Sequence, residues 1–139
     1  MRLLEITSGD YTNIDQEDEN GSLEGYVVDT AQPQLKNYLT AQGADDQLID
    51  SIADRFSRIA IIRNIWVDED YRNSGIGSSL LESAINAAFA AGAEAIVLVA
   101  DLNEDNEQLG KSLDTWYQGW GFKTIGHAGN DPIMLLIAD

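Results

Sequence analysis

The clearest pattern of hydrophobic and polar positions in this chain lies in residues 59–92. Residues 59–67 are almost unbroken apolar and rich in β-branched side chains, which predicts a buried β-strand. A polar segment follows, and then apolar residues recur at the spacing of a one-sided helix and end at Gly92, a residue type that commonly closes helices. The helical stripe consists of Leu80, Leu81, Ala84, Ile85, Ala88 and Phe89. The pattern therefore predicts a strand, a turn and a helix in immediate succession.

The turn contains the sequence Arg72-Asn73-Ser74-Gly75-Ile76-Gly77. The first amides of a helix have no partner within the helix, and the aligned peptide dipoles place partial positive charge there. Gly75 and Gly77 put no side chain between these amides and a ligand, and Arg72 adds a fixed positive charge. Because no lysine follows Gly77 and no third glycine stands at Leu80, a Walker A loop and a dinucleotide-binding fingerprint are disfavoured. The turn is predicted to bind a phosphate.

The segments before this unit predict short strands and helices. Residues 2–7 and 23–29 are predicted strands. The polar, acidic residues 8–22 between them are predicted to form a solvated loop, and the alternative is that they form part of an acceptor-binding mouth. Two short helices follow, one from about Pro33 to Gly43 and one that begins at Asp45 and Asp46. They run almost directly into the apolar strand at residue 59.

The segments after the central helix predict a second buried strand and a closing hairpin. Residues 95–100 are continuously apolar, so they are predicted to lie parallel to the strand at 59–67 through a right-handed crossover. A last helix ends at Gly119 and Gly121, and residues 122–126 and 133–138 are predicted to pair, joined by a turn-rich segment at 127–132. No repeat or boundary interrupts the chain, so residues 1–139 are predicted to form one domain.

Composition narrows the classes of function. Aspartate and glutamate number 24 against 8 lysines and arginines, a net charge of -16. Such a surface repels nucleic acid and attracts amines, polyamines or basic proteins, although an acidic surface also serves solubility or a saline habitat. There is no cysteine and no metal-ligand pattern, so no metal site is predicted. No signal-peptide or membrane-spanning run is present, so a cytoplasmic protein without a membrane partner is expected.

Two motifs resemble those of a known family. Arg72-x-x-Gly75-x-Gly77, after Ile65-x-Val67 at the strand end, is similar to the acetyl-CoA signature of the Gcn5-related N-acetyltransferases, the GNAT family. Trp116-Tyr117-Gln118-Gly119-Trp120-Gly121-Phe122 is similar to the aromatic-Tyr-x-x-x-Gly-Phe segment of the same family. The resemblance covers roughly residues 59–122. It implies an α/β (α+β) fold with a mixed, centrally splayed β-sheet flanked by helices.

The resemblance also implies a reaction and a set of site residues. Acetyl-CoA is the implied co-substrate, and its acetyl group passes directly to an amine without an acyl-enzyme. Tyr117 matches the family's general acid, which protonates the leaving thiolate; the alternative is an aromatic residue of the core. The positions implied to bind the cofactor are Ile65, Trp66, Val67, Arg72, Asn73, Ser74, Gly75, Ile76, Gly77, Ser78 and, ahead of the last helix, Asn106.

Several points stay open at this stage. No carboxylate lies within residues 59–67, so Glu24, Asp29 and Asp54 are candidates for the general base by elimination only. The acceptor is expected to be a cationic amine, which includes small amines, polyamines, and lysines or N-termini of proteins. Alternatives are an inactive CoA-binding regulatory module and an acidic protein that occupies a basic partner. The oligomeric state is open, a homodimer included.

Overall fold

The computed structural model describes residues 11–68, 70, 74–101 and 113–138. The strand predicted at residues 2–7 lies outside this part of the chain. The first half contains three strands, two helices and a long strand: β1 (Tyr11–Asn13), β2 (Gln16–Asp18), β3 (Gly21–Asp29), α1 (Pro33–Gln42), α2 (Asp46–Arg55) and β4 (Arg58–Val67). The second half contains α3 (Ile76–Ala90), β5 (Ala95–Val99), α4 (Leu113–Gln118), β6 (Lys123–Ala128) and β7 (Asp131–Ile137).

The strands form one mixed seven-stranded sheet in the order β1-β3-β4-β5-β7-β6, with β2 also paired to β3. Neighbouring strands are antiparallel except β4 and β5, which run parallel on either side of α3. The predicted strand–helix–strand crossover is therefore confirmed. The helices α1 and α2 connect β3 directly to β4, as their position in the sequence predicts.

Helices cover both faces of the sheet. On one face, called the α3 face here, α3 and α4 pack with Leu23, Ile62, Leu98 and their neighbours in one buried cluster. On the opposite face, the α1 face, α1 and α2 pack over a second buried cluster that includes Ile61 and Val97. Because β5 and the first half of β4 are buried on both faces, they are continuous apolar runs, which made them the easiest strands to predict.

The helix ends follow the sequence signals. Gly43 adopts a left-handed conformation with φ 101° and closes α1 with backbone bonds to Leu39 and Thr40. At the start of α2, the Asp45 side chain accepts a hydrogen bond of 2.8 Å from the Leu48 amide. Gly92, with φ 91°, follows α3 in the same left-handed region.

Two predictions were wrong in detail. Residues 8–22 are not wholly a loop, because β1 and β2 within them pair with β3. These three-residue strands are mostly exposed and depend on backbone pairing, so no hydrophobic alternation marked them. The closing hairpin also has longer strands than predicted, and its turn is only Gly129 and Asn130. Polar side chains on the exposed part of β6 had concealed that extension.

Candidate active site

A cleft opens between the two parallel strands at the centre of the sheet. β4 and β5 pair only at Ile59 with Ala95, Ala60 with Ile96, and Ile61 with Val97. Beyond these pairs β4 continues to Val67, whereas the end of β5 pairs with β7 alone. The predicted central splay is therefore confirmed, and it begins at Ile62.

A β-bulge in β4 lies where the cleft opens. Gly25 of β3 pairs with Ile62, and Glu24 pairs with Asn64, so Arg63 is an extra residue on β4. A bulge bends its strand and increases the local twist, which turns the end of β4 away from β5. Gly25 is required here, because a Cβ atom at this position would lie 2.8 Å from the Ile61 carbonyl oxygen.

The opposite end of the β4–β5 pair is held closed by Glu94. One oxygen of its carboxylate accepts hydrogen bonds from the amides of Ser57 and Arg58, at 2.6 Å and 3.1 Å. The Glu94 amide donates in turn to the Arg58 carbonyl. The two strands are thus pinned at one end and free to diverge at the other.

The N-terminus of α3 presents backbone amides without a side-chain cap. Gly75 is the N-cap residue, with φ 91°, and a Cβ atom added to it would meet nothing within 4 Å. The Ser79 amide makes the first helical bond, 3.0 Å to the Gly75 carbonyl, so the amides of Ile76, Gly77 and Ser78 precede the helical ladder. Ser74 and Gly75 are exposed, and the next three residues are half-buried. These amides fit the predicted phosphate site.

Three elements converge beside this helix end. A Cβ atom on Gly77 would lie 3.6 Å from Val67 Cγ2 and 3.9 Å from the Trp116 ring, both ordinary contact distances. The end of β4, the start of α3 and α4 therefore meet at one point. The sequence had predicted Trp116 only as part of the aromatic segment of α4. Of the other predicted cofactor-binding residues, Arg72, Asn73 and Asn106 lie outside the described residues.

The end of β4 divides its side chains between the two faces. Ile65 and Val67 pack against the buried cluster of the α3 face. Trp66, which lies between them, therefore points to the α1 face, where it is 50% exposed. All three residues were predicted to bind the cofactor. The Trp66 side chain lies on the face opposite the start of α3, so only its backbone could contact a cofactor bound there.

Tyr117 lies on the α3 face, in the same buried cluster as Ile62 and Leu98, and is only 4% exposed. Its ring packs against Trp116 and Phe122, with centroids 5.1 Å and 5.7 Å away. The residue is thus a core aromatic by its packing, on the side of the sheet where α3 begins. Its role as a general acid stays a prediction.

A second tyrosine, Tyr38 of α1, lies at the opening of the cleft. Its hydroxyl donates a long hydrogen bond of 3.4 Å to the Ile62 carbonyl. Burial raises the pKa of Tyr38 to about 12, although a hydrogen bond with the Val99 backbone acts in the opposite direction. The phenol therefore joins β4 and β5 where they diverge. The sequence had predicted Tyr38 only as part of the apolar face of α1, because no local motif distinguishes it.

A cavity of about 250 Å³ adjoins α1, β3 and β4. Its lining residues are Tyr11, Asn13, Asp15, Glu24, Gly25, Tyr26, Gln34 and Arg63. The side-chain oxygen of Gln34 is buried and has no hydrogen-bond partner in the described part of the chain. An unpartnered buried amide oxygen is costly, so this oxygen is suited to accept a hydrogen bond from water or from a ligand in the cavity.

The cavity separates the three candidate bases. Glu24 lines it. Asp29 instead pairs with Arg58 at 3.3 Å, at the closed end of β4, and Asp54 is exposed on α2. Within the described ranges, no cluster of side chains is suited to hold a metal ion. In the same ranges, no helix has the length and apolar character needed to cross a membrane.

Comparisons with known proteins agree with this geometry. The family model described as "Acetyltransferase (GNAT) family" matches residues 19–111. An acetyltransferase from Bacillus cereus is 17% identical over 92% of this chain and 74% of that chain, with a TM-score of 0.57. The polyamine N-acetyltransferase of Drosophila melanogaster is 9% identical over 86% of this chain and 69% of its own, with a TM-score of 0.57.

A mutant agmatine N-acetyltransferase has a similar fold, with 10% identity over 88% of this chain and 74% of that chain and a TM-score of 0.58. No curated protein sequence matches the chain. At such low identities the solved structures show a shared fold, whereas the family match rests on the sequence itself.

Proposed function

The chain belongs to the GNAT acetyltransferase family, whose members transfer the acetyl group of acetyl-CoA to an amine, and on this premise we propose that its acceptor is a small amine that enters from the α1 face. Acetyl-CoA is the co-substrate, and the amides at the start of α3 would hold its pyrophosphate. The thioester would then lie in the cleft between β4 and β5.

The observation that carries this proposal is the cleft itself. It begins at Ile62, between two faces that offer different chemistry. The α3 face presents uncapped helix amides near Val67, and the α1 face presents a cavity that contains Glu24. Two substrates that approach from opposite faces would meet at the cleft without competing for one site.

The reaction needs two proton transfers. The neutral acceptor nitrogen forms a bond to the thioester carbonyl carbon, the carbon–sulfur bond breaks, one amine proton leaves and the thiolate gains one; a protonated acceptor must lose a further proton before it attacks. We propose that Tyr117 supplies the proton to sulfur and that Glu24, directly or through water, takes the proton from nitrogen. An amine with a pKa of ~10.4 is neutral at pH 7 about once in two thousand, a penalty of roughly 4.6 kcal/mol, so a proton acceptor at the cavity matters.

The acceptor is proposed to be small and to carry positive charge. A cavity of about 250 Å³ lies below the usual range for drug-sized ligands, which favours a small molecule over a folded protein. The net charge of -16 attracts cations to the surface. Two proteins with this fold are named for polyamine and agmatine acetylation, which supports testing such amines first.

The test is release of free CoA thiol from acetyl-CoA when the purified protein is given small amines one at a time. Mass spectrometry of the product should show one added acetyl group on nitrogen. Glu24→Gln should lower turnover most at pH values at which the amine is protonated. Stabilisation by acetyl-CoA without thiol release for any amine would contradict the proposed catalysis and favour a binding module.

A further inference from the structure

The cavity contains an arginine whose side chain has no partner among the described residues, in a chain that has 24 acidic residues and only 8 basic ones. Arg63 is the bulge residue of β4. Within the part of the chain that the structure describes, it forms no hydrogen bond or ion pair, yet its charge lowers the pKa values of Tyr26 and Tyr38 against the larger, opposite effect of their burial. The positive charge of its guanidinium therefore favours ionisation of both phenols, Tyr26 in the cavity lining and Tyr38 at the cleft.

The two carboxylates of the cavity, Asp15 and Glu24, differ in their hydrogen bonding. Asp15 accepts a bond of 2.9 Å from the Gly25 amide through one oxygen and a bond of 3.1 Å from the Asn13 side chain through the other. Asp15 thus holds the segment between β1 and β2 against the bulge. Glu24, in contrast, has no hydrogen bond or ion pair among the described residues. The cavity therefore offers a free cation, a free anion and the unpartnered oxygen of Gln34.

Helix α1 connects the cavity to the cleft, because it carries one residue at each of them. Gln34 and Tyr38 are four residues apart, so they lie on one face of the helix, separated by a rise of about 6 Å. Gln34 lines the cavity, and Tyr38 lies at the cleft where transfer would occur. Arg63 directly follows Ile62, where the cleft opens and whose carbonyl accepts from Tyr38, so an anion bound by Arg63 would lie near the opening of the cleft.

We propose that the acceptor is an α-amino acid with a cationic side chain. This inference rests on the acetyl transfer proposed above. In such a molecule one carbon separates the amine from the carboxylate, so the α-nitrogen can reach the cleft while Arg63 holds the carboxylate through two parallel bonds. The side chain extends into the cavity, where the Gln34 oxygen receives its N–H groups, while Glu24 stays available to take the proton from the α-nitrogen. The α-nitrogen forms the amide, and CoA leaves as the thiol.

Arginine and agmatine separate this inference from simple amine recognition. Each has one primary amine, on the corresponding carbon, and they differ only in the carboxylate. A site that binds a charged group discriminates strongly against an analogue that lacks it. We expect kcat/KM for arginine to exceed that for agmatine by roughly tenfold or more, with the acetyl group on the α-nitrogen. Lysine and cadaverine form a second pair, in which acetylation of the lysine α-nitrogen is compared with acetylation of either of the two equivalent nitrogens of cadaverine.

Arg63→Gln should lower the ratio of arginine to agmatine kcat/KM by roughly tenfold or more, because the shorter, uncharged amide cannot form the ion pair. Arg55→Gln is the matched control, since it removes the same charge from an exposed position at the end of α2, outside the cavity. The control should leave the ratio unchanged. A thermal shift with acetyl-CoA reports whether each variant is folded.

The outcomes are distinct. Agmatine used as well as arginine, or acetylation of arginine with an unchanged ratio in a folded Arg63→Gln variant, would overturn the amino-acid assignment and leave the acetyl transfer intact. No thiol release with any amine would instead overturn the proposed transfer. The comparison of arginine with agmatine on the unaltered protein decides the assignment even if the variant does not fold.

Discussion

Gly77→Ala should raise the stability of the free protein and weaken its binding of acetyl-CoA. Gly77 is the second residue of α3, outside the left-handed region that Gly75 occupies. An added methyl group would lie 3.6 Å from Val67 and 3.9 Å from Trp116, so the surrounding chain accommodates it without a clash.

Gly77→Ala is expected to change stability and acetyl-CoA binding in opposite directions. Alanine reduces the conformational freedom of the unfolded chain, so the free energy of unfolding should rise by about 0.4–1 kcal/mol. The same methyl group occupies space next to the helix amides, where a phosphate oxygen would have to approach. Loss of one charge-assisted hydrogen bond costs about 1.5–3 kcal/mol, which corresponds to roughly 10- to 150-fold weaker binding.

Urea unfolding of the free protein and calorimetric titration with acetyl-CoA measure the two effects separately. Ser83→Ala is the matched control, because Ser83 is exposed in the middle of α3 and its replacement raises helix propensity without touching the helix start. Gly75→Ala should instead be destabilised by roughly 1–3 kcal/mol, since alanine at φ 91° is strained. If Gly77→Ala binds acetyl-CoA as tightly as the unaltered protein, the start of α3 does not hold the pyrophosphate.

Three further predictions concern the two tyrosines and the charge. Tyr117→Phe should depress kcat in the thiol-release assay and leave the acetyl-CoA dissociation constant nearly unchanged; an unaltered kcat would contradict the general-acid role. Because burial raises the pKa of Tyr38 to about 12, its stabilisation is present below pH 10 and is lost as the pH rises towards 12. Urea unfolding at several pH values should therefore show that the free energy of unfolding falls by roughly 2 kcal/mol more over this range in the unaltered protein than in Tyr38→Phe. An equal pH dependence of the two proteins would refute this prediction. With a net charge of -16, KM for acetyl-CoA should fall as salt screens the surface, while KM for a purely cationic amine should rise; parallel changes would rule out this electrostatic explanation.

The strand and helix that carry the proposed cofactor site could be predicted because their signals are local. The apolar run of β4, the glycines at its exit and the stripe of α3 are contiguous, and the crossover to β5 follows from the preference for parallel connections. The same holds for Asp45 and Gly43, which mark helix ends through bonds to residues within one turn. These features depend on interactions between near neighbours in the chain.

The short strands β1 and β2 escaped prediction for the opposite reason. Their polar residues have no burial pattern, and they exist because β3 offers its backbone for pairing. Asp15 illustrates the point: the sequence placed it in an acidic run, whereas in the fold its carboxylate accepts the amide of Gly25 ten residues away. A residue of the acidic run thus has a fixed position in the lining of the cavity.

By itself the sequence determined the family, the chemistry of the helix start and the positions of most elements, since each of these is encoded in consecutive residues. Tertiary structure alone decided the cavity that is proposed to bind the acceptor. The bulge at Arg63 exists only because β3 and β4 pair in one register, and that register sets Arg63 and Glu24 beside Gln34 of a helix packed across the sheet. Residues that are distant in the chain can act on one ligand only when the packing of the helix on the sheet brings them into the same cavity.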